Sequence, residues 1–156
     1  MAVSATAAAE AFERAPLLAE RLGTADGPPA EVVARARAII ATLSDTERAA
    51  VLNAHPRIGA TAGLSARSAA EQRADEPEDL AIGSVLARLN AAYEAKFGFR
   101  FVVFVHGRSR AEIVPIFENR LARTRVEELA TGLEEFLAIA QDRLSKDRPR
   151  SEELQR

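Results

Sequence analysis

Cysteine and tryptophan are absent from the 156 residues, methionine and tyrosine occur once each, and only two histidines are present. The lack of cysteine excludes disulfides, thiolate chemistry and Cys-ligated zinc together, and is compatible with a reducing cytoplasm. No sign of charge prevails: 21 Lys and Arg against 23 Asp and Glu give a net charge of -2, which offers no field to draw nucleic acid or an anionic membrane. Long apolar runs are missing too. The longest, such as Phe101 to Val105, fall far short of the roughly 20 residues that span a bilayer. Met1 to Ala9 is alanine-rich without a basic n-region or a compact leucine-rich segment, so it reads as a loose N-terminus and not as a secretory signal. What is present is an apolar fraction of 47%, enough for one core in one soluble domain.

Helical periodicity dominates. After the breaker Gly27-Pro28-Pro29, the residues Val32, Val33, Ala36, Ile39, Ile40 and Leu43 recur at three- and four-residue steps, which predicts a helix from about Ala30. Ile82, Leu86, Leu89, Tyr93 and Phe97 repeat the pattern, with Gly98 placed to stop that helix in a left-handed cap. The clearest stripe is Val126, Leu129, Leu133, Phe136, Leu137, Ala140 and Leu144, entered through a capping box at Thr124/Glu127. Shorter helices are expected from about Ala7 to Leu22, from Asp45 to Ala54, after Ser68, and from Ala111 to Arg123. Against this, Phe99-Arg100-Phe101-Val102-Val103-Phe104-Val105 is aromatic and β-branched, which argues for extended backbone. No second run of that quality exists to pair with it. The expectation is therefore an all-α, single-domain helical bundle with one buried extended connector, about Phe99 to Val105, whose backbone groups find partners other than a sheet ladder. Residues 1–9 are expected as a flexible N-terminus, 10–145 as the domain and 146–156 as a charged, solvated tail. No internal repeat, phosphate-cradling glycine loop or metal-ligand spacing is present.

Three side chains could carry chemistry. Pro56 disfavours α geometry at His55, so the preceding helix should end there and hold the imidazole at its negative end, where the protonated form is favoured. The plain alternative is a C-capping histidine in a loop. Glu71 closes Ser68-Ala69-Ala70-Glu71-Gln72, and its plain reading is a capping box, since Ser44/Glu47, Ser109/Glu112, Thr124/Glu127 and Thr131/Glu134 share the spacing. A carboxylate that also reached His55 would orient the ring for general acid catalysis. Arg143 lies three residues after Ala140 and seven after Phe136, on the apolar face of the last helix, where an arginine either meets an anion or snorkels. Arg57, Arg100, Arg108, Arg110, Arg120, Arg123 and Arg125 read mostly as solvated surface, and His106 as the exposed exit of the connector.

Taken in order, His55-Pro56-Arg57-Ile58-Gly59, Ser68-Ala69-Ala70-Glu71-Gln72, Leu89-Asn90-Ala91-Ala92-Tyr93, Lys96-Phe97-Gly98-Phe99-Arg100-Phe101 and Ile139-Ala140-Gln141-Asp142-Arg143-Leu144 resemble one family. It is 2-oxo-4-hydroxy-4-carboxy-5-ureidoimidazoline (OHCU) decarboxylase, the cofactor-independent enzyme that completes urate oxidation by forming (S)-allantoin. The resemblance covers about residues 10 to 145. It implies an all-helical homodimer in which His55 is the proton donor, Glu71 works beside it and Arg143 closes the pocket. Substrate contacts are implied from Pro56, from Ser68, Ala69, Ala70, Glu71 and Gln72, and from the backbone of Phe101, Val102, Val103, Phe104 and Val105. The sequence departs from the family pattern at Arg100, where proline is common, and at Arg73-Ala74-Asp75. Both departures are expected at the pocket rim, away from the catalytic side chains.

The implied chemistry suits the composition. The substrate carries its carboxylate next to a C=N bond, so electrons released with carbon dioxide flow into that imine, and neither a metal nor an organic cofactor is needed. The protein must supply orientation, desolvation and one proton on one face of the ring. Two other readings stand beside this one: a non-enzymatic helical interaction module, and a hydrolase of the preceding hydroxyisourate, for which the chain offers too few strands.

Overall fold

The structure, a computed structural model, describes residues 11–12, 15–22, 27–59 and 79–146. Six helices lie among them: α1 Pro16–Leu22, α2 Pro29–Thr42, α3 Asp45–Asn53, α4 Asp79–Phe97, α5 Arg110–Leu121 and α6 Arg125–Lys146. Among the described residues there is no strand, as the all-α expectation required. The helix expected after Ser68, the terminal segment 1–9 and the tail beyond Lys146 lie outside the described residues. Helix α6 runs through Lys146, the first residue of the expected tail.

Local chemistry accounts for the boundaries. Proline enters α2 at its first position, where a missing N–H costs nothing. Ser44 with Glu47 and Ser109 with Glu112 close reciprocal capping boxes at the starts of α3 and α5. Thr124 and Glu127 do the same for α6, with Glu127 N donating to Thr124 Oγ1 at 3.2 Å and Thr124 N to Glu127 Oε1 at 3.3 Å. Thr131/Glu134 shares their spacing but caps nothing. It lies inside α6, where Glu134 pairs with Arg37 of α2 and Thr131 accepts from Arg123. Gly98 ends α4 at φ +82°, the left-handed conformation that favours glycine.

The long helix α6 organises the bundle, with α2, α3 and α4 packed along it, α1 against α2 and α3, and α5 against α4. Its expected stripe is buried from Leu129 to Leu144. Val126 is the exception, 78% exposed. It stands in the first turn of α6, ahead of the packed part of the stripe, so helical phase alone does not bury it. None of the described helices is long and apolar enough to cross a membrane.

Candidate functional site

His55 stands where its proline puts it. Helix α3 ends at Asn53, the His55 amide donates to Leu52 O at 3.1 Å, and Pro56 leads the chain away. The side chain is buried, 8% exposed, with its ring edge-on to Phe136 of α6 at a centroid distance of 6.3 Å and 74° between planes. The loop that carries it is tied to α4: Asn90 Nδ2 donates to Ile58 O at 3.0 Å, and Arg57 meets Glu94 through two bonds of 2.8 and 2.9 Å. Gly59 closes the loop at φ +82°, and a Cβ there would lie 3.3 Å from Leu86. Pro56 is half-buried between these anchors.

Arg100 reaches the same loop from the other side of the sequence. Its NH1 donates to Asn53 O at 3.0 Å and to His55 O at 3.1 Å, and its amide donates to Asn53 Oδ1 at 2.9 Å. A cation on the last carbonyls of a helix is favourably placed. The reading of Arg100 as solvated surface is thus corrected, because Arg100 is half-buried and bonded to the backbone of His55 itself.

The connector is irregular, as expected, and its carbonyls are held by guanidinium groups. Arg120 NH1 donates to Val102 O at 2.7 Å, while Arg108 donates to Phe104 O and, through Nε at 3.0 Å, to Val105 O. Phe101, Val102 and Val103 are buried, and Phe104 and Val105 half-buried. The Phe101 ring stacks on Phe117 at 3.7 Å and 8°, takes the edge of Tyr93 at 5.3 Å, and lies 4.4 Å from the Arg120 guanidinium. Behind it sits Glu128, 0% exposed, accepting from Tyr93 Oη at 2.7 Å, Arg120 Nε at 2.8 Å and Arg123 NH1 at 2.9 Å. Burial, and then the bond to Glu128, push the Tyr93 hydroxyl far above its ordinary pKa, so it stays a donor.

Arg143 is buried, 1% exposed, on the α6 face that also carries Phe136, and its NH1 donates to Ala11 O at 3.4 Å. Phe136 touches His55 on one side, and its ring lies 6.1 Å from Phe12, the neighbour of Ala11, on another. Phe136, beside His55, and Arg143 thus lie on the same buried face of α6, seven residues apart. Ser68, Ala69, Ala70, Glu71 and Gln72 lie outside the described residues. His106 is exposed, as expected, at φ 48° beside Phe104. A separate cavity of about 420 Å³ is lined by Arg57, Ile58, Gly59, Gly83, Asn90 and Glu94, among others, and by none of His55, Arg143 or the connector. Among the described residues no cluster of metal-ligating side chains is present.

A buried imidazole at a helix end and a buried guanidinium on the facing helix can supply a proton and bind an anion. Other buried polar groups around them escaped the sequence reading. Arg110 and Arg120, read as surface, are buried at the spacing of Ile113 and Phe117, and Asn90 is buried between Leu86 and Tyr93. Glu128 lies four residues before Gly132 and eight before Phe136. The same helical phase that sets Arg143 on an apolar face sets all four there.

The comparisons with known proteins agree with one another. The model of the OHCU decarboxylase family matches residues 3–145. The 2-oxo-4-hydroxy-4-carboxy-5-ureidoimidazoline decarboxylase of Haloferax volcanii is 30% identical over 142 residues, covering 88% of this chain and 84% of that protein. The uric acid degradation bifunctional protein of Bacillus sp. (strain TB-90) is 33% identical over 110 residues, covering 69% of this chain but only 22% of that protein. The chain therefore spans about a fifth of the bifunctional relative's length. The crystal structure of an OHCU decarboxylase in the presence of (S)-allantoin matches with a TM-score of 0.72 at 23% identity, over 90% of this chain and 96% of that one. At that identity the likeness is one of fold.

Proposed function

The chain belongs to the OHCU decarboxylase family, and from that premise we propose that it decarboxylates OHCU to (S)-allantoin in urate degradation, as a cytoplasmic homodimer without metal or organic cofactor. The observation that carries the reading is the pairing of the family match with a buried imidazole held at the end of α3, facing the helix that bears a buried Arg143. His55 donates the proton that the ring takes up, on the carbon of the former C=N bond, once carbon dioxide has left. Glu71 supports the imidazolium, and Gln72 reads polar atoms of the ring. Arg143 binds a carboxylate or carbonyl through its planar fork, and Pro56 with the connector from Phe101 to Val105 clamps the flat substrate. Decarboxylation leaves an electron pair delocalised into the substrate's C=N bond, and that pair takes the proton from one face. Positioned general acid catalysis contributes roughly 100- to 10,000-fold, and desolvation in a dry pocket supplies part of the rest.

The test is circular dichroism while a separate uricase and hydroxyisourate hydrolase generate the substrate. The wild-type protein, after exhaustive chelation, gives a fast signal of one allantoin enantiomer. His55→Ala loses most of the rate and leaves the slow racemic background, and His106→Ala loses little. An active, enantioselective His55→Ala variant sinks the mechanism. A wild type that never exceeds the background sinks the function.

A further inference from the structure

We propose that Arg100 is a positioning residue for His55: one guanidinium nitrogen, shared between the carbonyls of Asn53 and His55, fixes the backbone from which the imidazole is presented. The inference rests on the proposed role of His55 as proton donor and adds to it a residue that the family pattern does not place there. Three observations carry it. Arg100 NH1 lies 3.0 Å from Asn53 O and 3.1 Å from His55 O, so one cation binds the last turn of α3 and the first loop carbonyl together. The Arg100 amide adds a bond of 2.9 Å to Asn53 Oδ1, which locks the two segments in register. The His55 ring is braced by Phe136 from α6, so its backbone and its side chain are held from two different elements.

The physical consequence follows from the loop's composition. Pro56 cannot donate a backbone bond, and the chain after Asn53 has left the helix. The carbonyls at this end have therefore lost their intrahelical donors, and Arg100 replaces them with a charge-assisted one. Arg100 is the first residue after the Phe97-Gly98-Phe99 turn, and Phe101 behind it is anchored in the aromatic cluster. The guanidinium thus ties the histidine loop to the connector, the two stretches proposed to face each other across the substrate. A donor displaced by about 1 Å is enough to cost roughly 100-fold in rate.

The experiment compares wild type with Arg100→Met, which keeps the apolar stem and removes the donors, and Arg100→Lys, which restores a donor without the fork. For Arg100→Met we expect kcat to fall about 10- to 100-fold with KM within about two-fold of wild type. Arg100→Lys should recover part of kcat, and Arg37→Met, which removes an exposed ion pair elsewhere, should change neither. The second readout does not depend on turnover. With two histidines in the chain, a His106→Ala background isolates the proton resonance of the His55 ring, which should shift and broaden in Arg100→Met while far-ultraviolet circular dichroism stays unchanged. A folded Arg100→Met with wild-type kcat overturns the inference, as does a loss confined to KM or an unmoved His55 resonance. Should Arg100→Met fail to fold, Arg100→Lys decides by the same two readouts. If the wild type does not turn over OHCU, the proposed reaction fails, and the resonance still decides whether Arg100 holds His55.

Discussion

Two irregular stretches cross this bundle, residues 54–59 after α3 and residues 101–105 after α4, and their polar groups are satisfied by opposite means. The buried start of the connector hangs on charges taken out of water, where Arg120 bonds Val102 O and Glu128 together and both side chains are buried, while its half-buried end hangs on Arg108. The histidine loop hangs mainly on groups nearer solvent, the half-buried Arg100 and the exposed Arg57 with its partner Glu94, with one buried amide, Asn90. Water can replace a lost surface bond but cannot reach a stranded buried charge. The start of the connector at Val102 is thus an all-or-nothing fixture, while the loop that presents His55 rests on several weaker ties that can adjust one at a time.

The largest expected effect breaks the connector's fixture. Glu128→Ala leaves Arg120 and the Tyr93 hydroxyl buried without their carboxylate and should cost about 3–5 kcal/mol of stability, read from the urea midpoint at constant slope. Replacing the whole network with apolar groups, Tyr93→Phe, Arg120→Met and Glu128→Leu together, should recover much of that loss, because the cost lies in the unpaired charge. A Glu128→Ala variant within 1 kcal/mol of wild type, an amount typical of surface pairs, would erase the contrast between the two regions.

Asn90→Ala tests a buried tie of the histidine loop. It removes the donor to Ile58 O and should cost about 1–3 kcal/mol, the range for stranding one buried acceptor. The expected order places it between Glu128→Ala and the surface variants. A loss as large as that of Glu128→Ala would mean that the loop is as rigidly fixed as the connector.

Much of this was legible in the sequence. The stripes of α2, α4 and α6 gave helices, and Pro56 gave the end of α3 at His55, because both signals act within a few residues. The lone extended segment was placed as a connector since no second strand existed to pair with it. What its carbonyls bind was not legible: helical phase can bury Arg120 and Glu128 one at a time, but it does not say that they meet across two helices or that Arg120 reaches Val102 O. Tyr93 and Glu128 are 35 residues apart, beyond any local rule. Thr131/Glu134 shows the converse: a capping spacing carries no information unless a helix starts there. Arg100 was read from its charge as surface, whereas its partners are main-chain carbonyls that no composition displays. The Glu71 segment lies outside the described residues, so its place beside His55 rests on the resemblance and the family.

A smaller effect is expected where the loop meets solvent. Arg57 and Glu94 form a two-bond pair at 2.8 and 2.9 Å, but Arg57 is about half exposed. A double-mutant cycle with Arg57→Ala and Glu94→Gln should give a coupling of about 0.2–1 kcal/mol, shrinking as salt is raised. A coupling above that range, insensitive to salt, would place the loop in the connector's regime.

The smallest expected effect lies outside both regions and sets the floor of the comparison. A bond from Arg125 holds the Asp45 carboxyl below its ordinary pKa, the Ser44 amide does so for Glu47, and the Thr124 hydroxyl, followed by its amide, for Glu127. Each group binds its proton more weakly folded than unfolded, so its contribution is fully present above the ordinary carboxylate values of 3.8 and 4.5 and is lost as pH falls through the lower folded values. Asp45 and Glu127 are exposed and Glu47 is half-buried at the surface, so the contributions are small and screened by salt. The urea midpoint, followed from about pH 6 down to about pH 3, should fall less steeply in Asp45→Asn than in wild type, because that variant has already given up its share at neutral pH. Identical acid limbs in the two proteins would show that the Arg125 contact contributes nothing, and the slope would then belong to the helix caps at Glu47 and Glu127 or to carboxylates elsewhere.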